Sequence, residues 1–378
     1  MPVKLILNMS KLHLWIFLIL FLAVIQTGFS QVEKNHTDAF QINSLSGYIL
    51  DHSPNIIQLI QGPTQGFMAS WERQTYGKNE WERAYNYPSF GASFIAQDMG
   101  SPELGSVYSI HADYRFFFLK RQVSLQVGTG LAYVENPFHP EDNPKNYAYG
   151  STITGSFYAG LHYRKDQIFN TPLGVQVGAF LMHYSNGKTK SPNTSTNNYG
   201  IQFGINYQLE EEFPEFKTEQ LADFKAENIK FNFMFSSGMN DFGVIGLDNN
   251  PFYVFTAYAG KRLNRKSSFH LGTELFLSHS LKQYINYRSI AYANEGGITG
   301  DEDWKRVGLF AGHELFIGKL SLITQVGYYI YYPVKYNKQY YTRVGLKRYL
   351  TDKIFVSIML KTHLAKAEAM EYGIGIRL

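Results

Sequence analysis

Three polar residues with catalytic side chains fall close together in two alternating segments of the chain. His183 and Ser185 end the first segment, and Asn197 begins the second. An imidazole can act as the general base for a serine hydroxyl, and an orienting group on the far ring nitrogen fixes the tautomer. The spacing predicts a serine esterase with Ser185 as nucleophile, His183 as base and Asn197 as the orienting group.

Apolar and polar residues alternate in the two segments, as they do in β-strands. This alternation decides on which face of the strands the chemistry would occur. Successive side chains of a strand point to opposite faces, so His183 and Ser185 share a face with Leu181. Asn197 shares a face with Tyr199 in the same way. We expect the polar side chains to meet at the top of an antiparallel hairpin, on an apolar surface that suits lipid.

The same alternation recurs through the chain and indicates a membrane barrel. Tyr372 and Ile374 face one way at the C-terminus, whereas Glu371 and Gly373 face the other. The chain has 28 tyrosines and 29 phenylalanines but a charged fraction of only 17%. We therefore predict an all-β fold, an antiparallel transmembrane β-barrel of about 14 strands, with a range of about 12 to 16 left open.

The strand pattern gives a provisional domain organisation. Residues 1–30 resemble a signal peptide, with an apolar run after Lys4 and Lys11 and a cleavage site before Gln31. Residues 31–88 are expected to form an extra hairpin or a periplasmic plug, and residues 89–378 the outer-membrane barrel. The predicted strands lie near 89–99, 105–118, 121–134, 149–165, 173–186, 197–209, 229–240, 252–263, 267–280, 303–317, 319–334, 339–350, 353–364 and 367–378, with less regular additions at 41–50 and 65–75.

Connection lengths predict which end of the barrel faces outward. Periplasmic turns are short and extracellular loops are long, and counting back from the C-terminus puts the hairpin after Ser185 at the outer leaflet. The acidic connection 210–228 is the long exception on the periplasmic side, where Pro214 and the apolar residues after it suggest a short helix at the barrel mouth.

Composition excludes several other classes of protein. The chain contains no cysteine, which excludes a disulfide framework, a thiolate nucleophile and lipid attachment to an N-terminal cysteine. The net charge is +4, and the 35 lysines and arginines form no basic stripe, so a nucleic-acid partner is not expected. No metal-ligand spacing accompanies the histidines, and no metal or cofactor is expected.

The segment that begins at His183 resembles the active-site signature of the PagL family of outer-membrane lipid A 3-O-deacylases. The resemblance rests on residues 183–186, His-Tyr-Ser-Asn, followed by Pro192 and Asn193. It implies a barrel enzyme of a Gram-negative outer membrane that releases an ester-linked acyl chain from lipopolysaccharide. It also implies Ser185 as nucleophile and His183 as base, with Asn186 contributing to the oxyanion site. Gly187, the next residue, is a further candidate for binding the oxyanion or the substrate.

Two departures from that family favour a different lipase. The family has a glutamate twelve residues after the serine, where this chain has Asn197, and the chain is longer than one eight-stranded barrel needs. Outer-membrane phospholipase A resembles this chain in using His, Ser and Asn, and the resemblance implies calcium and a homodimer. The positions similar to its calcium-contacting residues are Lys188 and Asn193 here, which do not match it.

The partners expected from the sequence are therefore the outer membrane and a lipid substrate. Lys188 and Lys190 would suit the phosphates of lipid A. A glycerophospholipid substrate and a barrel without enzymatic activity, either a channel or a scaffold, are the alternatives.

Overall fold

The strands of the chain close into two barrels. The structure is a computed structural model that describes residues 36–244, 249–293, 297–364 and 366–378. Within these residues, sixteen antiparallel strands form two closed barrels of eight strands each. The signal peptide expected at residues 1–30 lies outside the described residues.

The first barrel begins with a strand that the sequence pattern showed only weakly. Its first and last strands pair antiparallel, with Ala39 opposite Gln208 and Ile49 opposite Asn198. This pairing closes the sheet on itself. In chain order the strands are β1 (His36–Ile49), β2 (Thr64–Thr75), β3 (Ser89–Asp98), β4 (Ser106–Phe118), β5 (Val123–Val134), β6 (Ile153–Lys165), β7 (Leu173–Ser185) and β8 (Thr196–Gln208).

The second barrel closes in the same way between its first and last strands. Asn232 lies opposite Arg377, and Ser237 lies opposite Tyr372. In chain order its strands are β9 (Lys230–Asn240), β10 (Asn250–Arg262), β11 (Ser267–Ser278), β12 (Lys305–Ile317), β13 (Leu320–Tyr331), β14 (Tyr340–Tyr349), β15 (Ile354–His363) and β16 (Lys366–Arg377).

Helices are few and lie in the connections between strands. They are α1 (Pro54–Ile57), α2 (Glu80–Ala84), a 3₁₀ turn (Ile168–Asn170) and α3 (His279–Ala291). In the described part of the chain, none of them has the length and apolar character needed to cross a bilayer.

Polar side chains fill the inside of each barrel. In the first barrel, Glu72 accepts hydrogen bonds from Arg115 at 3.0 Å and from Arg164 at 3.3 Å. In the second, Arg343 contacts Glu274 at 2.6 Å and Glu371 at 2.9 Å. These groups are buried and paired, as charges in a protein interior must be. The outward residues alternate with them and are apolar and exposed along most strands.

The prediction of one barrel of about 14 strands is wrong, although the all-β barrel class is confirmed. Each of the fourteen predicted strands is present, and the additions at 41–50 and 65–75 are β1 and β2. Residues 31–88 therefore contain two strands of the first barrel, rather than a plug, and no single barrel spans 89–378. Alternation within a strand reports its two faces but not which strand edges pair, so the closure was not visible in the sequence.

The acidic connection at 209–229 joins the barrels without regular secondary structure, and the short helix expected there is absent. Phe216 stacks on Tyr76 with ring centroids 4.9 Å apart, which ties the connection to the first barrel. Glu227 pairs with Arg262 at 3.4 Å, which ties it to the second. Side-chain contacts to both barrels thus hold this segment in place of helical hydrogen bonds.

Closure into two barrels predicts a specific crosslink. Ile42 on β1 pairs with Ile205 on β8, and both side chains point outward. We expect the Ile42→Cys/Ile205→Cys double variant to be joined by a short bis-thiol crosslinker, since directly opposed Cβ atoms lie about 5 Å apart. The native chain has no cysteine to interfere.

Gel mobility after denaturation measures this crosslink, and Ile42→Cys/Leu161→Cys is the matched control because Leu161 lies on the non-adjacent strand β6. A single barrel of sixteen strands would place β1 beside β16. Failure of the first pair to crosslink in folded protein would contradict the two-barrel closure.

Candidate active site

The hairpin of β7 and β8 brings the predicted base and its orienting group together. His183 lies directly opposite Asn197 in the strand register. The Nδ1 atom of His183 is 2.7 Å from Oδ1 of Asn197, so the amide oxygen accepts the Nδ1–H hydrogen bond. This bond leaves the lone pair of the imidazole on Nε2, the nitrogen that would take a proton from a nucleophile.

The surface around this pair is apolar. Leu181 precedes His183 on the same face of β7 and is 60% exposed, and Tyr199 opposite it on β8 is 46% exposed. On the other side Phe157 of β6 lies opposite His183 and also points outward. The pair therefore lies on the outer face of the barrel, as the strand parity predicted.

Ser185 is the last residue of β7 and lies on the same face as His183. Its Oγ accepts hydrogen bonds from Nδ2 of Asn193 at 3.0 Å and from the backbone N–H of Gly187 at 3.2 Å. The hydroxyl is thus engaged with the loop after β7 and not with His183. Rotation about the Cα–Cβ bond of Ser185 must bring the hydroxyl to the imidazole before a proton can be transferred.

Asn193 contacts the predicted nucleophile, and the sequence pattern does not reveal this contact. The sequence marks Asn193 only as a position similar to a calcium-contacting residue of outer-membrane phospholipase A. In the structure its Oδ1 also accepts the backbone N–H of Asn186 at 3.1 Å, so Asn193 links both ends of the loop. A loop residue eight positions from a serine carries no periodic signal, so only the folded hairpin shows this contact.

The two residues expected to form the oxyanion site differ in what they offer. Both amide hydrogens of Asn186 are used, by Oγ of Ser151 at 3.1 Å and by the carbonyl of Lys190 at 2.7 Å. The Asn186 side chain therefore holds the loop in this arrangement, and its expected oxyanion role stays a prediction. The N–H of Gly187, which has a φ of +61°, already points at the Ser185 hydroxyl and fits that role.

The two loop lysines also differ. Lys190 is exposed at the end of the barrel and stays a candidate for phosphate binding. Lys188 is only 8% exposed, and its Nζ donates to the hydroxyl of Tyr336 in the second barrel at 3.1 Å. The ammonium group of Lys188 is thus directed to the second barrel and not to the lipid-facing surface, and phosphate binding by Lys188 stays a prediction.

The loop after Ser185 is also held by contacts with the first barrel. The backbone N–H groups of Thr194 and Ser195 donate to the carbonyls of Tyr147 and Ala148. The hydroxyl of Tyr149 is 2.6 Å from Oγ1 of Thr196. The loop between β5 and β6 therefore fixes the position from which Asn193 reaches Ser185.

Together these groups could hydrolyse an ester. A base with a fixed tautomer shares one strand face with a hydroxyl two residues away, and two N–H donors lie within 3.2 Å of that hydroxyl. Such donors can stabilise the charge that develops on a carbonyl oxygen during acyl transfer. The apolar surface around them suits a substrate with an acyl chain.

Comparison with protein families gives two matches, one to each barrel. Residues 65–206 match the family described as lipid A 3-O-deacylase (PagL). Residues 229–378 match the family described as acyloxyacyl hydrolase, C-terminal domain. The boundary between the matches falls in the connection between the two barrels. No curated protein matches the chain.

Solved structures similar to this chain include three outer-membrane proteins. Neisserial surface protein A is 14% identical over 46% of this chain and 95% of its own, with a TM-score of 0.24. A porin mutant of Rhodopseudomonas blastica is 10% identical over 91% and 100%, with a TM-score of 0.20. Omp33 of Acinetobacter baumannii is 7% identical over 90% and 99%, with a TM-score of 0.18. These superpositions are poor, and the fold rests on the strand pairing itself.

The two family matches agree with the family resemblance found at residues 183–186. They also establish the class of reaction, which is hydrolysis of an ester, and the compartment, which is the outer membrane. The first barrel therefore carries the match to the lipid A 3-O-deacylase (PagL) family and the second the match to the acyloxyacyl hydrolase C-terminal domain, and the two matches together support a PagL-like family for this chain.

Proposed function

We propose that this protein removes an ester-linked acyl chain from lipid A with Ser185 as the nucleophile, His183 as the base and Asn197 as the orienting residue. The observation that carries the proposal is the 2.7 Å bond from His183 to Asn197 on the apolar face beside Ser185. The family match to lipid A 3-O-deacylases supports the substrate.

The first half of the reaction forms an acyl-enzyme. The Ser185 hydroxyl rotates to Nε2 of His183, gives up its proton and attacks the ester carbonyl. The N–H of Gly187 and the side-chain amide of Asn193 then hydrogen-bond the resulting oxyanion. Collapse breaks the bond to the sugar oxygen, which leaves as a hydroxyl after it takes the proton from His183.

The second half releases the acyl chain. A water molecule gives its proton to His183 and attacks the carbonyl of the acyl-enzyme. Collapse returns the proton to Ser185 and frees the fatty acid. The Asn197 oxygen keeps its bond to Nδ1–H throughout, and it stabilises the imidazolium less strongly than a carboxylate would.

The reaction takes place at the outer leaflet in this proposal. The site lies at the end of the barrel that carries the long loop of residues 135–152, and such loops are extracellular in bacterial barrels. Exposed Lys190 adds a positive charge there for a substrate phosphate. The homodimer suggested by the phospholipase resemblance stays a prediction.

Lipid A acylation in cells tests the substrate. Expression of the wild type should lower the mass of lipid A by one acyl chain, and Ser185→Ala should leave the mass unchanged because the nucleophile is gone. Mass spectrometry of extracted lipid A measures both. Ser106→Ala, at the start of β4 on the same barrel, is the matched control and should behave as the wild type.

Two results would contradict this proposal. If lipid A keeps all its acyl chains in cells that contain folded wild-type protein, the proposed deacylase function is wrong. If Ser185→Ala still deacylates lipid A, Ser185 is not the nucleophile. Calcium-stimulated release of fatty acid from phosphatidylethanolamine would support the phospholipase in its place.

Substitutions of the base and its orienting residue test the proposed division of roles. His183→Ala should lower kcat by about 10² to 10⁴-fold, the range typical of a lost general base. Asn197→Asp should stay active because a carboxylate also accepts from Nδ1–H, whereas Asn197→Ala should lose activity because the tautomer is no longer fixed. Equal activity of Asn197→Ala and the wild type would show that Asn197 has no such role.

A further inference from the structure

The second barrel contacts the loop that carries the nucleophile's hydrogen-bond donor. This loop, residues 186–195, follows directly after Ser185. Four residues of the loop contact the second barrel. Gly187 contacts Met370, Lys188 contacts Tyr336, the carbonyl of Thr189 contacts Asn249, and Ser191 contacts Asp241.

Lys188 makes the most extensive of these contacts. Its Nζ lies 3.1 Å from the hydroxyl of Tyr336, and 5.8 Å and 5.4 Å from the ring centroids of Phe242 and Tyr336. The Tyr336 hydroxyl donates in turn to the carbonyl of Phe242 at 2.9 Å. The carbonyl of Lys188 accepts the N–H of Asp241 at 3.1 Å. Side chain and backbone of Lys188 are thus both fixed by the second barrel.

The contacts of Lys188 lie one residue from Gly187, whose N–H bonds the proposed nucleophile. The N–H of Gly187 bonds the Ser185 hydroxyl at 3.2 Å, and Gly187 is bonded covalently to Lys188. A Cβ atom on Gly187 would collide with the side chain of Met370. The direction of the Gly187 N–H therefore depends on where the second barrel holds the neighbouring residues.

Stability alone does not account for a lysine at this position. Burial of an ammonium group is costly, and an apolar residue of similar size is often tolerated equally well or better. Burial lowers the pKa of Lys188 to about 8, against the opposing effect of Glu368 and Asp241. The charged and titratable groups that face the ammonium are Asp241, Tyr336, Glu368 and Lys366.

We propose that the second barrel is a positioning element for the active site of the first, and that Lys188 is the residue through which it acts. This inference rests on the proposed function, since it assigns a role around the same nucleophile. Lys188 holds the loop so that the Gly187 N–H meets the oxyanion, and Lys188 does not touch the substrate itself.

Replacement of Lys188 by methionine in the full-length protein tests this role. A p-nitrophenyl decanoate ester in detergent micelles reports the reactivity of Ser185 independently of lipid A. Lys188→Met should lower kcat about 10-fold, a factor that corresponds to ~1.4 kcal/mol, and should change KM little because Lys188 does not touch the substrate. Its thermal unfolding temperature should equal or exceed that of the wild type.

Lys335→Met is the matched control, because Lys335 is an exposed lysine directly before Tyr336. It should keep the wild-type kcat. Tyr336→Phe removes only the hydroxyl that bonds Lys188, and it should lower kcat in the same direction by a smaller factor. This second variant keeps the test decisive if Lys188→Met fails to fold.

The pH dependence provides a readout that a purely structural role would not move. The ammonium of Lys188 loses its proton as the pH rises through about 8. The ratio of wild-type kcat to Lys188→Met kcat should therefore be largest below pH 8 and fall toward one above it. A ratio that stays constant from pH 6 to pH 10 would contradict the role of the charge.

The outcomes separate this inference from the proposed function. If the wild type does not hydrolyse the ester, or if Ser185→Ala hydrolyses it equally well, both proposals are overturned. If the wild type is active through Ser185 and both Lys188→Met and Tyr336→Phe match its kcat, only the positioning role is overturned.

Discussion

The paired charges that fill the barrel interiors are the constraint on which the rest of the structure depends. A barrel of eight strands is just wide enough for its side chains, and here the interior of the first holds Glu72 bonded to Arg115 and Arg164. A lipid substrate has no route through such an interior. Chemistry on lipid must therefore be placed on the outer face, among residues that would otherwise serve only to contact acyl chains.

The outer face imposes its own cost on catalytic groups. An imidazole or hydroxyl among apolar side chains needs a hydrogen-bond partner. His183 obtains one from Asn197 across the hairpin, and Ser185 obtains its partners from the loop. The strands thus position the proposed base, the loop positions the groups proposed to bind the oxyanion, and residues of both barrels contact that loop.

Strand parity allowed much of this to be predicted from the sequence. The fourteen clear strands and the facing of His183 toward Asn197 both follow from an alternation with a period of two, which a strand imposes wherever one face meets lipid. The closure into two barrels could not be predicted from this alternation. The strands β1 and β8 are far apart in sequence, and the pattern of a strand does not indicate which strand pairs with its edge. The contacts of Asn186, Lys188 and Asn193 could not be predicted either. A loop has no periodicity, and the positions of its side chains depend on residues that are distant in sequence.

The central claim is that the nucleophile is a serine on the lipid-facing surface of the first barrel. Labelling with two fluorophosphonates of equal reactivity, one with a long alkyl chain that partitions into membranes and one that is short and water-soluble, tests it most directly. The account predicts that the long-chain reagent modifies Ser185 much faster than the soluble one, as identified by peptide mass spectrometry, and that labelling is lost in His183→Ala. Equal rates for the two reagents, or modification of a different serine, would contradict it.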